Sequence, residues 1–126
     1  MLQDAPVVAT IAVRDLERAR RFYKDDLGLA IKADMSPDLI FFGAGGGSQL
    51  QVYSRPNHVP GEATTASFSV GNLAATVAGL EQRGVRFADY DIPGFKTGPD
   101  HMVDVGGAKL AWLLDPEGNI VALAQM

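Results

Sequence analysis

The chain has 126 residues, enough for one domain with a sizeable core and too few for two independent ones. Its 47% hydrophobic content is ordinary for a globular protein; no apolar run is long enough to span a membrane, and no basic start with an apolar stretch follows Met1, so neither span nor signal peptide is expected. A formal charge of −4 argues against a nucleic-acid partner, and the lack of cysteine excludes disulfides and thiolate metal sites and fits a reducing cytoplasm.

In chain order, VVATIAV (7–13) is rich in β-branched residues and reads as a strand. Asp15 is placed to cap the helix that follows, LERARRFYKDDL, whose apolar face carries Leu16, Ala19, Phe22, Tyr23 and Leu27. Arg18, Arg20 and Arg21 sit among Glu17, Asp25 and Asp26 and read as a solvated helix face. Gly28 stops the helix, and strands are expected at 29–33, 39–42 and 49–53. AGGGS (44–48) joins two strands, so it is a hairpin connection and not a phosphate-binding loop, which needs a helix behind it.

The plan then repeats. TASFSV (65–70) is a strand, Asn72 a cap, LAATVAGLEQR a helix and Gly84 its stop; strands follow at 85–88, 109–114 and 120–124. Laying VATIAVRDL over TASFSVGNL pairs Val13 with Val70 and Leu16 with Leu73, an offset of 57. The expectation is one domain of two βαβββ modules, residues 5–54 and 64–125, joined by a linker at 55–63. Gln51 and Ala122, on the fourth strands, are 71 apart, so the second module carries 14 extra residues. These are placed after Gly84, in GFKTGPDHMVDVGG (94–107), whose glycines and Pro99 disfavour regular structure; a lid is the expected role.

Two such modules, the opening V-x-DLERA-xx-FY and the closing DPEGN strand resemble the vicinal oxygen chelate superfamily of glyoxalase I, extradiol dioxygenases and bleomycin resistance proteins. The resemblance implies an α+β fold with cupped sheets, a homodimer, and a metal site on the first and fourth strands of each module. Its ligand positions fall on Val8, Gln51, Thr65 and Ala122. Valine and alanine cannot coordinate, threonine is a poor ligand and a neutral amide alone holds nothing tightly, so no metal and no cofactor are expected. The only histidines, His58 and His101, read either as exposed loop residues or, for His101 with Asp100 or Asp104, as a displaced metal or acid–base site.

Strand alternation then separates two faces. Ile11, Val13, Leu50, Val52, Phe68, Val70, Val121 and Leu123 should back onto the helices. On the other face lie Val8, Thr10 and Ala12; Gln49, Gln51 and Tyr53; Thr65, Ser67 and Ser69; Ala122 and Ala124, with Trp112 turned the same way. Such a surface of small, neutral groups and one indole suits a neutral or aromatic organic ligand. The reading is therefore metal-free binding of a small molecule, as in drug-sequestering members of the superfamily. The alternative is a lyase, isomerase or dioxygenase-type enzyme with an unorthodox metal or acid–base site.

Overall fold

In the computed structural model, which describes residues 1–126, the β-branched opening forms strand β1 (Ala9–Val13). The Asp15 carboxylate accepts from the Arg18 N–H at 3.0 Å and starts helix α1 (Leu16–Arg21). The helix does not run on unchanged to Leu27. From Phe22 to Asp26 it widens into a π turn, with the Leu27 N–H donating to the Phe22 carbonyl, and the consecutive residues Phe22 and Tyr23 are both buried, edge to face at 5.0 Å. Gly28, at φ 77, ends the helix where the alternation with apolar residues stops. Strands β2 (Ala30–Met35), β3 (Leu39–Gly43) and β4 (Gln49–Ser54) follow, and AGGGS makes the expected tight connection between the last two. The sheet order is β1-β4-β3-β2, with β1 and β4 parallel.

Arg20 is not simply a solvated cation. Its guanidinium donates to Glu17 one turn back, to Asp34 on β2 and to the Ser36 hydroxyl, tying α1 to the end of that strand. Hydrogen bonds from Arg20 and Ser36 hold the Asp34 carboxyl well below the usual carboxylate range.

Contacts divide the chain into two units, Met1–His58 and Val59–Met126. The second repeats the plan with β5 (Thr64–Ser69), α2 (Leu73–Gln82) and β6 (Arg86–Ala88). Asn72 caps α2 by accepting from the Ala75 N–H at 3.1 Å, and Gly84 closes it at φ 81. Residues 94–107, expected to lack regular structure, instead contribute β8 (Phe95–Lys96), which forms a hairpin with β7 (Asp91–Ile92) just before them, and β9 (Val103–Val105). Strands β10 (Ala108–Leu114) and β11 (Ile120–Gln125) complete a sheet of order β5-β11-β10-β6, with β9 also paired to β10.

In each unit one sheet face packs its core. Ile11, Val13, Ile40, Phe42, Leu50 and Val52 are buried in the first; Ala111, Leu113, Val121 and Leu123 are buried in the second with Leu73 and Val77 of α2. Each large side chain so placed stabilises the fold by about 1.5–3 kcal/mol before entropy is counted.

The turn between β10 and β11 is a buried polar staple. Asp115 Oδ1 accepts from the Glu117 and Asn119 N–H groups at 2.9 and 2.8 Å, and Oδ2 accepts from the Asn119 amide at 2.8 Å. Asp115 is 0% and Asn119 1% exposed. A buried carboxylate is tolerated because its lone pairs are met by these donors. Asp115→Ala leaves the donors stranded and should lower the unfolding free energy by about 2–4 kcal/mol. Urea denaturation checks this; a loss below about 1 kcal/mol would mean that water replaces the carboxylate without penalty.

Candidate functional site

In the first unit, strand register lines up Thr10, Gln51, Phe41 and Ala33 in one row across the sheet, on the face opposite Ile11 and Val52. The next row is Ala12, Tyr53, Leu39 and Met35. Thr10 is exposed while Gln51 and Tyr53 are half-buried, so these rows offer an amide, a hydroxyl and a phenol, while the Lys32 side chain lies over Gly43 beside them. Phe41 and Leu39 belong to it too, although the ligand positions drew attention only to the first and fourth strands. Val8 precedes β1, and with Gln49, Ser48 and the glycine turn it lines an open cavity of about 550 Å³.

In the second unit the corresponding row is Ser67, Ala122, Trp112 and Ala88, running from β5 to β6. Ser67 is exposed, Ala122 recessed at 6% exposure and Trp112 half-buried. Leu113, the next residue, is buried on the helix side, so the indole faces away from α2. Thr65 is displaced from this pattern. A bulge puts Thr64 opposite Ile120 and Ala66 opposite Val121, and the intervening Thr65 hydroxyl donates to the Ile120 carbonyl at 2.8 Å. One cation shares the Trp112 face, the exposed Arg86 at the far end of β6.

Two rings of the inserted segment pack on the indole. Tyr90 meets Trp112 edge to face at 5.1 Å, Phe95 lies at 5.4 Å, and the two rings are 5.9 Å from each other. Geometry of this kind gains about 0.5–1.5 kcal/mol per pair beyond burial. Sequence reasoning missed both residues: Phe95 lies in the segment 94–107 that read as irregular, and Tyr90 falls between the expected strand 85–88 and that segment.

His101 also lies elsewhere than its chain neighbours implied. Its partners are not Asp100 or Asp104. Nδ1 lies 2.9 and 3.0 Å from the two oxygens of Asp89, Nε2 lies 3.3 Å from Glu81 Oε2 of α2, and the ring stacks on Phe87 at 5.1 Å. Asp100 instead accepts from the Met102 N–H within its own turn. The hydrogen bond to Asp89 is the main reason that the imidazole holds its proton above the ordinary histidine range, against an opposing effect of partial burial. His101 is also the one residue other than glycine with a positive φ, at 68, a conformation that costs about 1–3 kcal/mol and persists only where its surroundings impose it. His58 is half-buried, its N–H donating to the Arg55 carbonyl.

Of the four positions that the resemblance assigns to metal, Val8 and Ala122 offer hydrocarbon only, Thr65 has its hydroxyl proton committed to backbone, and Gln51 carries a neutral amide. Nowhere do three or more histidine, aspartate or glutamate side chains gather in a way that could hold an ion. No helix is long and apolar enough to cross a membrane.

A family model described as the Glyoxalase/Bleomycin resistance protein/Dioxygenase superfamily matches residues 6–123. No curated protein matches the sequence. Solved structures share the fold at low identity. A superfamily member from Sphaerobacter thermophilus is 24% identical over 100% of both chains, with a TM-score of 0.77. An antibiotic binding protein from Streptomyces sp. CB03234 is 23% identical over 99% of this chain and 98% of its own, with a TM-score of 0.75. Lactoylglutathione lyase from Agrobacterium tumefaciens is 19% identical over 99% and 96%, with a TM-score of 0.70.

Proposed function

The chain belongs to the Glyoxalase/Bleomycin resistance protein/Dioxygenase superfamily, and from that premise we propose that it binds a small neutral or aromatic organic molecule without a metal ion. The observation that carries this reading is the row Ser67–Ala122–Trp112–Ala88, in which a half-buried indole stands among small uncharged side chains. A flat hydrophobic surface flanked by a hydroxyl suits a planar ligand, since the ring supplies area and the hydroxyl orientation. The Thr10–Gln51 row of the first unit is equally free of charge. The antibiotic-binding relative supports the same class of activity.

The superfamily's metal positions do not fit an ion here. A catalytic divalent metal takes about three histidine or carboxylate ligands, and Val8, Gln51, Thr65 and Ala122 supply none of that type. A second reading, an enzyme of the lyase, isomerase or dioxygenase kind, has one observation in its favour: His101 oriented by Asp89 is an arrangement used in acid–base catalysis. Mass spectrometry of the compound recovered after binding separates the two, unchanged for a binder and converted for an enzyme.

Trp112 is the only tryptophan, so its fluorescence reads this face without ambiguity. Titration with planar aromatics such as 2-naphthol and flavone should quench or shift it saturably for at least one of them. Trp112→Ala should weaken that compound about tenfold or more while the circular dichroism stays native. Equal affinity in Trp112→Ala would remove the indole from the site.

We also propose a homodimer. β1 and β5 each have one partner strand within their sheets, and such edges are usually covered. Light scattering should give about twice the 13.4 kDa chain mass, and a clean monomer contradicts this.

A further inference from the structure

The inserted segment straddles the edge strand of its sheet. On one side His101 stacks on Phe87, a residue paired with the buried Leu113 and therefore facing the helix. On the other side Tyr90 and Phe95 lie against Trp112. The two sides are joined by an unbroken chain of hydrogen bonds. Asp89 accepts from His101 at 2.9 Å and, through the same oxygen, from the Thr97 hydroxyl at 3.1 Å. That hydroxyl accepts from the Tyr90 N–H at 3.0 Å, while the Thr97 N–H donates to the Tyr90 carbonyl at 2.9 Å. Thr97 is buried, yet the tip beyond it, Asp91 to Gly94, is exposed. The hairpin is therefore anchored at its base and free at its tip.

From this geometry we propose that the hairpin 89–97 is a displaceable cover over the Trp112 face, and that His101 is the latch that keeps it closed. The inference rests on the reading of that face as the ligand site. Tyr90 and Phe95 occupy the indole surface that a planar aromatic ligand would stack on, so the cover selects ligands able to replace two aromatic contacts. Small aliphatic molecules gain too little to displace it. Ligand entry moves the hairpin, and His101 sets how readily it moves.

The latch depends on charge. The groups facing the imidazole are Glu81 from α2 and Asp89 from the link after β6, with Phe87 beneath; Asp100 on its own segment is engaged with the Met102 N–H. The imidazolium donates to both carboxylates at once, whereas the neutral ring can donate to only one. Because the folded-state proton affinity is raised, the closed form is favoured at acid pH and loses that support as pH rises through the histidine's shifted titration. The cover is tight below it and loose above it.

Acrylamide quenching of Trp112 in the ligand-free protein tests this without any ligand, so its outcome is independent of the binding titration. Between about pH 5.5 and about pH 9 the quenching constant should rise in a single step of on the order of twofold, centred above the ordinary histidine value of about 6.5. His101→Gln should show the high, loose value throughout, and Glu81→Gln, at an exposed site unconnected with Trp112 packing, should move the step to lower pH. His58→Gln should leave the step in place. A flat profile in the native chain, an unchanged step in His101→Gln, or a step abolished by His58→Gln would each overturn the latch.

Discussion

The Asp115 carboxylate sets where β10 and β11 meet, and the face that carries Trp112 depends on that register. By gathering the Glu117 and Asn119 N–H groups and the Asn119 amide, it allows one turn geometry, and Leu114 then pairs with Ile120, Leu113 with Val121 and Trp112 with Ala122. Strand side chains alternate, so a slip by one residue would drive the indole toward α2 and expose Leu113. The cost of such a slip includes the lost burial of Leu113 and of Ala111 on the same side of β10. A buried polar turn thus specifies which side chains share the face of Trp112, three residues before it.

The same sheet plan in the first unit has a different means of closure. There the glycine turn at 45–47 joins β3 to β4, with the Ser48 hydroxyl and N–H both donating to the Gly45 carbonyl. Both units nonetheless place their first strand parallel to their last and carry a row of uncharged residues across the face opposite the helix, Thr10 to Ala33 in the first and Ser67 to Ala88 in the second. Repetition of the plan explains why two faces share a chemical character: the offset that relates Val13 to Val70 also relates Thr10 to Ser67.

Much of this was legible in the residues. Caps at Asp15 and Asn72, helix stops at Gly28 and Gly84, and the alternation of β1, β4 and β10 are local signals, and local hydrogen bonding and burial decide them. The π turn was not legible, because the stagger that buries both Phe22 and Tyr23 answers to packing and not to helix propensity. Nor was the hairpin. Its signal was present in YDIPGF, apolar and aromatic residues either side of Pro93-Gly94, with Gly94 at the φ of 77 that such a turn needs. It straddles the start of the glycine-rich stretch 94–107, whose composition disfavours regular structure. The partners of His101 lay beyond reach for another reason: Glu81 and Asp89 are 20 and 12 residues away and arrive by the folding of α2 and β6 around it.

Where superfamily metal positions fall, the chain has hydrocarbon, an amide and a hydroxyl already bonded to backbone, and its one histidine held by two carboxylates lies behind the sheet with α2. Plasma mass spectrometry on protein purified from medium enriched in zinc, iron and manganese, and dialysed without chelator, tests this most directly. The account predicts transition metal far below one ion per chain. A tightly held ion at one per chain, lost together with aromatic binding on chelation, would contradict it.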